Sequence, residues 1–183
     1  MHLVPESRDR SKLSDPGGTL FRMATWQQFS EEAPALAEKI KERFTATKSH
    51  VLATVRRDGS PRVSGSEVDF REQDLLIGSM IGAMKAKDLQ RDGRFAIHAA
   101  SAIDEGGADA KVSGKAVEIT DPAEVARLQG DDGEAHVFRL DLTEAVLTWV
   151  EGNTIYFDFW KEGQGSKRLA RPDNGPVVEV ASD

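Results

Sequence analysis

The spacing of apolar residues changes along the chain, and each change marks an element. From Met23, "MATWQQFSEEAPALAEKIKERF" places Leu36, Ile40 and Phe44 four apart, which gives a helix one apolar stripe. Thr25, with Gln28 three residues later, has the form of a capping box, so the helix is expected to open there. From His50 the period shortens to two. "HVLATV" and "RVSGSEVDF" flank "RRDGSP", whose Asp58-Gly59 is a hairpin turn signal. "DLLIGS" follows the polar link "REQ" and predicts a second hairpin. "AMKAKDLQR", between Gly82 and Gly93, predicts a short helix. "RFAIHAAS" predicts a buried strand, "EGGAD" a loop, and "AKVSGKAVEIT" another alternating strand.

In "DPAEVARLQ", Asp121 stands as N-cap and Pro122 at the first helical position. "HVFRLDL", "EAVLTWV" and "TIYFDFW" predict the closing strands, with Glu151-Gly152-Asn153 turning between the last two. After Trp160 glycine and charge rise and the alternation fades. The order is a helix, then many short antiparallel strands with two inserted helices, an α+β fold around a closed or nearly closed barrel. Residues 1–22 are polar and carry Pro5, Pro16, Gly17 and Gly18, the composition of a disordered extension. Residues 23–183 are expected to form a single domain.

Composition narrows the function. The chain has 183 residues, 39% apolar and 30% charged, which suits one globular domain with a real core. A formal charge of −7 argues against nucleic acid and anionic membrane as partners, so any anion site must be local. No cysteine is present, which removes disulfides, thiolate catalysis and Cys-ligated zinc. His2, His50, His98 and His136 show no metal-binding spacing, so no metal site is expected. No apolar run reaches the ~20 residues of a membrane helix, and 1–22 lacks the apolar stretch of a signal peptide. A cytoplasmic location is the expectation.

Few side chains offer chemistry of their own. His98 lies in an apolar strand and is expected to be a hydrogen-bonded core residue, whereas His136 opens a strand beside a polar loop and is expected to be exposed. Glu67 and Asp69, two apart, share a strand face that is expected to be solvated. No nucleophile elbow occurs. The strand-to-helix turn at Gly82, within "LLIGSMIGAMKAK", is the main candidate. A glycine-flanked turn lets backbone approach an anion, and the helix start offers free N–H groups beside Lys85. Charge pattern alone also fits Lys85, Lys87 and Arg91 as the solvated face of the helix.

In order, "HVLATVRRDGSPRVSGSEVDF", "DLLIGSMIGAMKAKDLQRDGRFAIH" and "AKVSGKAVEITD" resemble the pyridoxamine 5′-phosphate oxidase-like proteins, the flavin-binding split-barrel superfamily, across residues 48–160. The resemblance implies an antiparallel six-stranded split barrel with flanking helices. It implies a homodimer with two flavin sites between subunits, filled by FMN or, in actinobacterial branches, by the deazaflavin coenzyme. By motif match, Arg62, Val63 and Ser64 lie on the strand that runs along the flavin. Ser79 takes the small hydroxyl position after the third strand, with Met80 beside it, and Lys85 takes the lysine on the flavin phosphate.

The chain departs from the family in three places. Where the phosphate turn often reads Ser-Arg-Lys, this chain has Ala83-Met84-Lys85. A lost charge-assisted contact is worth about 1.5–3 kcal/mol, and Lys87, further along the helix, is placed to compensate. Glu67 stands near the position where the oxidases carry a second basic residue. Arg168 and Ala170 stand where an Arg-x-His pair would hold the oxidase substrate, so that substrate does not carry over. The implied function is an oxidoreductase moving hydride or electrons to or from a small organic substrate, with no catalytic side chain assigned. The alternative is a non-catalytic binder or carrier of a deazaflavin, haem or other planar cofactor. The aromatic residues Trp149, Tyr156, Phe157 and Trp160 crowd the last strands, which also suggests an obligate homodimer burying over roughly 2,000 Å².

Overall fold

Pro34 divides the expected first helix into two. In a computed structural model, which describes residues 12–14, 20–101, 103, 107–129 and 134–181, α1 spans Trp26–Glu32 and α2 spans Pro34–Thr45. A proline cannot continue α1, having no N–H and a ring that crowds the preceding turn, but it suits the first position of α2. The capping box at Thr25 is formed. Gln28 N–H donates to Thr25 Oγ1 at 3.2 Å and Thr25 N–H to Gln28 Oε1 at 2.8 Å. Within the expected disordered extension, β1 (Lys12–Ser14) pairs antiparallel with β2 (Leu20–Arg22). The rest of 1–19 lies outside the described residues.

The hairpins form where the turn residues placed them. β3 (His50–Val55) and β4 (Pro61–Ser66) flank Gly59, whose φ of +83° only glycine adopts at little cost. "RVSGSEVDF" is not one strand: β4 ends at Ser66, and Glu67 and Val68 form a link, so Glu67 and Asp69 do not share a strand face. β5 (Asp69–Arg71) makes the second hairpin with β6 (Asp74–Met80). Then come α3 (Met84–Arg91), β7 (Arg94–His98), β8 (Ala108–Ile119) and α4 (Pro122–Gln129). Asp121 caps α4, its Oδ1 accepting from the N–H groups of Ala123 and Glu124 at 2.9 and 3.0 Å.

Two readings of the C-terminal half need correction. "HVFRLDL" and "EAVLTWV" belong to one strand, β9 (Ala135–Glu151), which pairs with β8 through a bulge at Ser113/Gly114. A side chain at Gly114 would meet the Asp141 carbonyl at 2.0 Å, so backbone approach replaces side-chain packing at the bend. Beyond β10 (Thr154–Lys161), the sheet continues into β11 (Gly165–Pro172) and β12 (Val178–Val180). Much of β11 and β12 is solvent-exposed, so neither strand needs an apolar alternation.

The ladders run in the order β12-β11-β10-β9-β8-β7-β3-β4, and β6 joins the first part of β9 while carrying β5. Following β4-β3-β7-β8-β9-β6 gives six antiparallel strands that curl toward closure, but β4 and β6 do not pair. This is a split barrel. Its core holds Leu52, Leu75, Ile77, Ile97, Val112, Phe138, Leu140 and Leu142, all essentially without solvent contact. Phe29, Ile40 and Phe44 of the two helices join the same core with Trp160, whose Nε1 donates to Glu32 Oε2 at 2.9 Å. Burying each large apolar side chain contributes about 1.5–3 kcal/mol.

The aromatics of the last strands are covered largely from within the chain. Trp160 packs on Phe29 at 4.8 Å, and Trp149 stacks on Tyr156 at 5.2 Å with the Arg168 guanidinium also over its ring. The large exposed apolar side chains lie mainly elsewhere, at Val51, Val63, Met80, Ile81 and Met84.

Candidate functional site

Where β4 and β6 fail to pair, a cleft of about 720 Å³ opens. Its walls are Gly65 and Ser66 of β4, the link through Glu67, and Leu76–Met80 of β6, with Ala83 and Lys85 at one end. The positive φ of Gly82, +77°, turns the chain from β6 into α3 there.

The start of α3 is open. Its N-cap is Ala83, which makes no side-chain cap hydrogen bond, so the first N–H groups have no capping side chain. Lys85, in that first turn, reaches across the split. Its Nζ donates to Gly65 O at 2.9 Å and to Ser66 Oγ at 3.4 Å. Burial lowers the Lys85 pKa, and the nearby Glu67 carboxylate partly opposes that shift. Ser79 also lines the cleft, and its buried Oγ has no hydrogen-bond partner among the described residues. An unsatisfied buried hydroxyl is costly enough to need an explanation.

Arg62, on β4, is held elsewhere. Its Nε donates to Asp88 Oδ2 of α3 at 2.6 Å. Thr54 Oγ1 donates to the same carboxylate oxygen at 3.0 Å, and Arg91 approaches Oδ1 at 3.3 Å. Burial pushes the Asp88 carboxyl up, but the hydrogen bonds from Arg62, Thr54 and Arg91 outweigh it and leave the pKa lowered. This knot fastens α3 to β3 and β4, and so fixes the height of Lys85 over the cleft.

The residues expected at the site therefore divide. Ser79, Met80 and Lys85 line the cleft, and Arg62, Val63, Ser64 and Lys87 do not. Val63 is exposed on the face of the β3–β4 ladder that also carries Val51. Ser64 is half-buried on the opposite face with Arg62, and Lys87 points to solvent. Ser49, Gly65, Ser66, Glu67, Asp69 and Arg71 add polar groups to the lining, and Val68, Leu128, Ala135 and Val137 add apolar ones. Small polar residues from separate strands carry no sequence signal, because only the barrel brings them together. Arg71 Nε donates to Asp69 Oδ2 at 2.6 Å.

Two histidines need comment. His98 is hydrogen-bonded as expected, with Nδ1 2.6 Å from Ala99 O, but its side chain is 40% exposed and so is not part of the core. His136 is not exposed as its position suggested. Its Nδ1 lies 2.7 Å from Glu118 Oε1, and Gln90 Nε2 bonds the same carboxylate at 3.0 Å. The packing of α3 on β8 and β9 creates that cover. Among the described residues, no group of three or more His, Asp or Glu could hold a metal ion, and no helix is long and apolar enough to cross a membrane.

Comparison with known proteins bears on this geometry. No curated protein matches the chain. A haem-binding protein from Mycobacterium smegmatis is similar in structure, with TM-score 0.51 and 16% identity over 78% of this chain and 60% of that one. The Agrobacterium tumefaciens protein Atu2129, of unknown function, gives TM-score 0.50 and 14% identity over 62% and 56%. The haem storage protein HutZ of Vibrio cholerae gives TM-score 0.46 and 19% identity over 58% and 89%. At such identities the likeness to the first two shows the fold alone. The model of the family described as pyridoxamine 5′-phosphate oxidase matches residues 36–155, which span the barrel from α2 to β10 and include both walls of the cleft. The chain belongs to the pyridoxamine 5′-phosphate oxidase-like family.

Proposed function

We propose that the split holds a flavin, FMN in the first place and a deazaflavin as the alternative, with its polar tail toward the start of α3. The protein is then an oxidoreductase that moves hydride or electrons to or from a small organic substrate. One observation carries this reading: an uncapped helix start and the half-buried ammonium of Lys85 face a cleft that also contains the unpartnered hydroxyl of Ser79. Those groups suit an anionic or hydrogen-bonding tail. A cleft of about 720 Å³ is within the range of small-molecule and cofactor sites. The redox chemistry would be supplied by the flavin. The chain would bind the tail through Lys85 and the α3 N–H groups, orient the ligand with Ser79 and the β4 backbone, and limit water through Met80 and Leu76.

A haem is the competing ligand, since a haem-binding protein shares the fold. Among the described residues lining the cleft there is no histidine, so this chain offers a haem no imidazole there. That favours the flavin.

A second copy of the chain belongs to the same reading. Val51 and Val63 on the outer face of β3–β4, with Met80, Ile81 and Met84 at the cleft mouth, leave apolar surface exposed on either side of the split. A two-fold dimer would cover it and close the cleft.

Fluorescence titration with FMN tests the assignment. Lys85→Ala should weaken binding about tenfold or more, the scale of one charge-assisted contact, and Lys87→Ala should do much less. Equal affinities for wild type and Lys85→Ala would remove Lys85 as the anchor.

A further inference from the structure

Each cation near the split already has a partner of its own. Arg71 is paired with Asp69 and Arg62 with Asp88, both at 2.6 Å, and Lys85 gives its Nζ to Gly65 and Ser66. Among the described residues lining the cleft, the charged side chains are Arg71 and Lys85 on one side and Glu67 and Asp69 on the other. The cleft is charge-balanced. Glu67 is the carboxylate that is not spent on Arg71, and its negative field reaches both Lys85 and His50. His50 is buried, and burial lowers its pKa, so it stays neutral near pH 7 and adds no positive charge. Lys48 approaches Glu67 at 3.5 Å, but both side chains are well exposed, so water and salt weaken that pair.

We infer that Glu67 is a specificity residue: it holds the cleft near neutrality and so narrows the advantage of a phosphorylated flavin over the same flavin without its phosphate. The inference rests on the flavin reading. A phosphate monoester carries about −1.5 to −2 charges at pH 7, and at the start of α3 it meets the pull of Lys85 and the push of Glu67 together. Riboflavin, identical in ring and ribityl chain but uncharged, meets neither. The cleft therefore selects the ring and polyol more than the phosphate. The ligand class is a planar flavin of low net charge, and FMN is accepted without being strongly preferred.

The test is a titration of the full chain, wild type and Glu67→Gln, with FMN and separately with riboflavin. Wild type should bind the two within about fivefold of each other, whereas Glu67→Gln should tighten FMN by about two- to fivefold, since the Glu67 side chain is 63% exposed and water and salt screen its charge here as in its pair with Lys48. Riboflavin affinity should move less than about twofold, since no charge acts on it. Glu67→Lys should carry the FMN shift further in the same direction. Glu67 lies on the exposed link between β4 and β5, so both variants should fold as wild type does. If both flavins bind and the ratio of their affinities is the same in wild type and Glu67→Gln, the inference is overturned while the flavin reading stands. If neither flavin binds wild type, the flavin reading fails and the inference falls with it.

Discussion

Asp88→Ala should be among the most damaging substitutions in the barrel. The carboxylate is buried, and it receives Arg62 Nε at 2.6 Å, Thr54 Oγ1 at 3.0 Å and the Arg91 guanidinium at 3.3 Å. Arg91 is also anchored to the Val55 carbonyl, so it keeps one partner. Thr54 and Arg62 do not escape so easily, because Thr54 is buried and the Arg62 side chain is only 19% exposed. Removing one partner of a buried ion pair costs about 3–5 kcal/mol. Residual hydration of Arg62 places the expected loss near the lower end, about 3 kcal/mol. Asp88→Asn keeps an acceptor oxygen and should lose less. Replacing both partners, as Arg62→Met with Asp88→Leu, should recover much of the deficit, since no charge is then left buried. Urea unfolding followed by circular dichroism measures each value, with an unchanged slope confirming that the denatured state is unaltered. The pH dependence gives a second readout. The folded pKa of Asp88 lies below its unfolded value, so its contribution is present above about pH 4 and lost as pH falls through the folded pKa. Asp88→Asn should flatten that acid limb. A loss below about 1 kcal/mol for Asp88→Ala, the scale of a surface pair, would refute the reasoning.

Three further outcomes are expected. Burial lowers the pKa of His50, so the unfolded chain takes a proton that the folded one resists; stability should hold above about pH 6.5 and decline as pH falls toward the folded pKa. Unfolding of His50→Gln across pH 5–7 should lack that slope. Gly114→Ala should cost about 3 kcal/mol or more from overpacking against the Asp141 carbonyl, whereas Gly78→Ala, which meets nothing within 4 Å, should be nearly neutral in the same thermal scan. Pyridoxamine 5′-phosphate should not be oxidised at an ordinary turnover of about 1 per second, because Arg168 is locked to Asp158 at 2.7 and 2.9 Å and Ala170 provides no imidazole; an assay for pyridoxal phosphate reads this directly.

The parts of the fold that follow local rules were legible. Asp58-Gly59, the Thr25 capping box and the Asp121 N-cap act through backbone geometry within a few residues, and the structure shows all three. The expected single helix is two because Pro34 breaks it, and the stripe Leu36, Ile40 and Phe44 lies wholly in the second, so it carries no information about the turn before Pro34. β9 was read as two strands because it changes partners along its length, from β6 and β8 to β8 and β10, and its burial pattern shifts with them. β11 escaped notice because "GSKRLARP" is held by backbone pairing to β10 with little buried surface of its own. The site divides in the same way. Lys85 and Ser79 sit in a recognisable strand-turn-helix, but the counter-charge of Glu67, the Asp88 knot and the cover over His136 are products of tertiary packing.

Native mass spectrometry of the full chain, mixed with equal amounts of FMN and haemin, tests the central claim most directly. The account predicts a dimer carrying up to two flavins, with the flavin adduct much reduced in Lys85→Ala. A haem adduct in place of the flavin, or a monomer that binds neither, would contradict it.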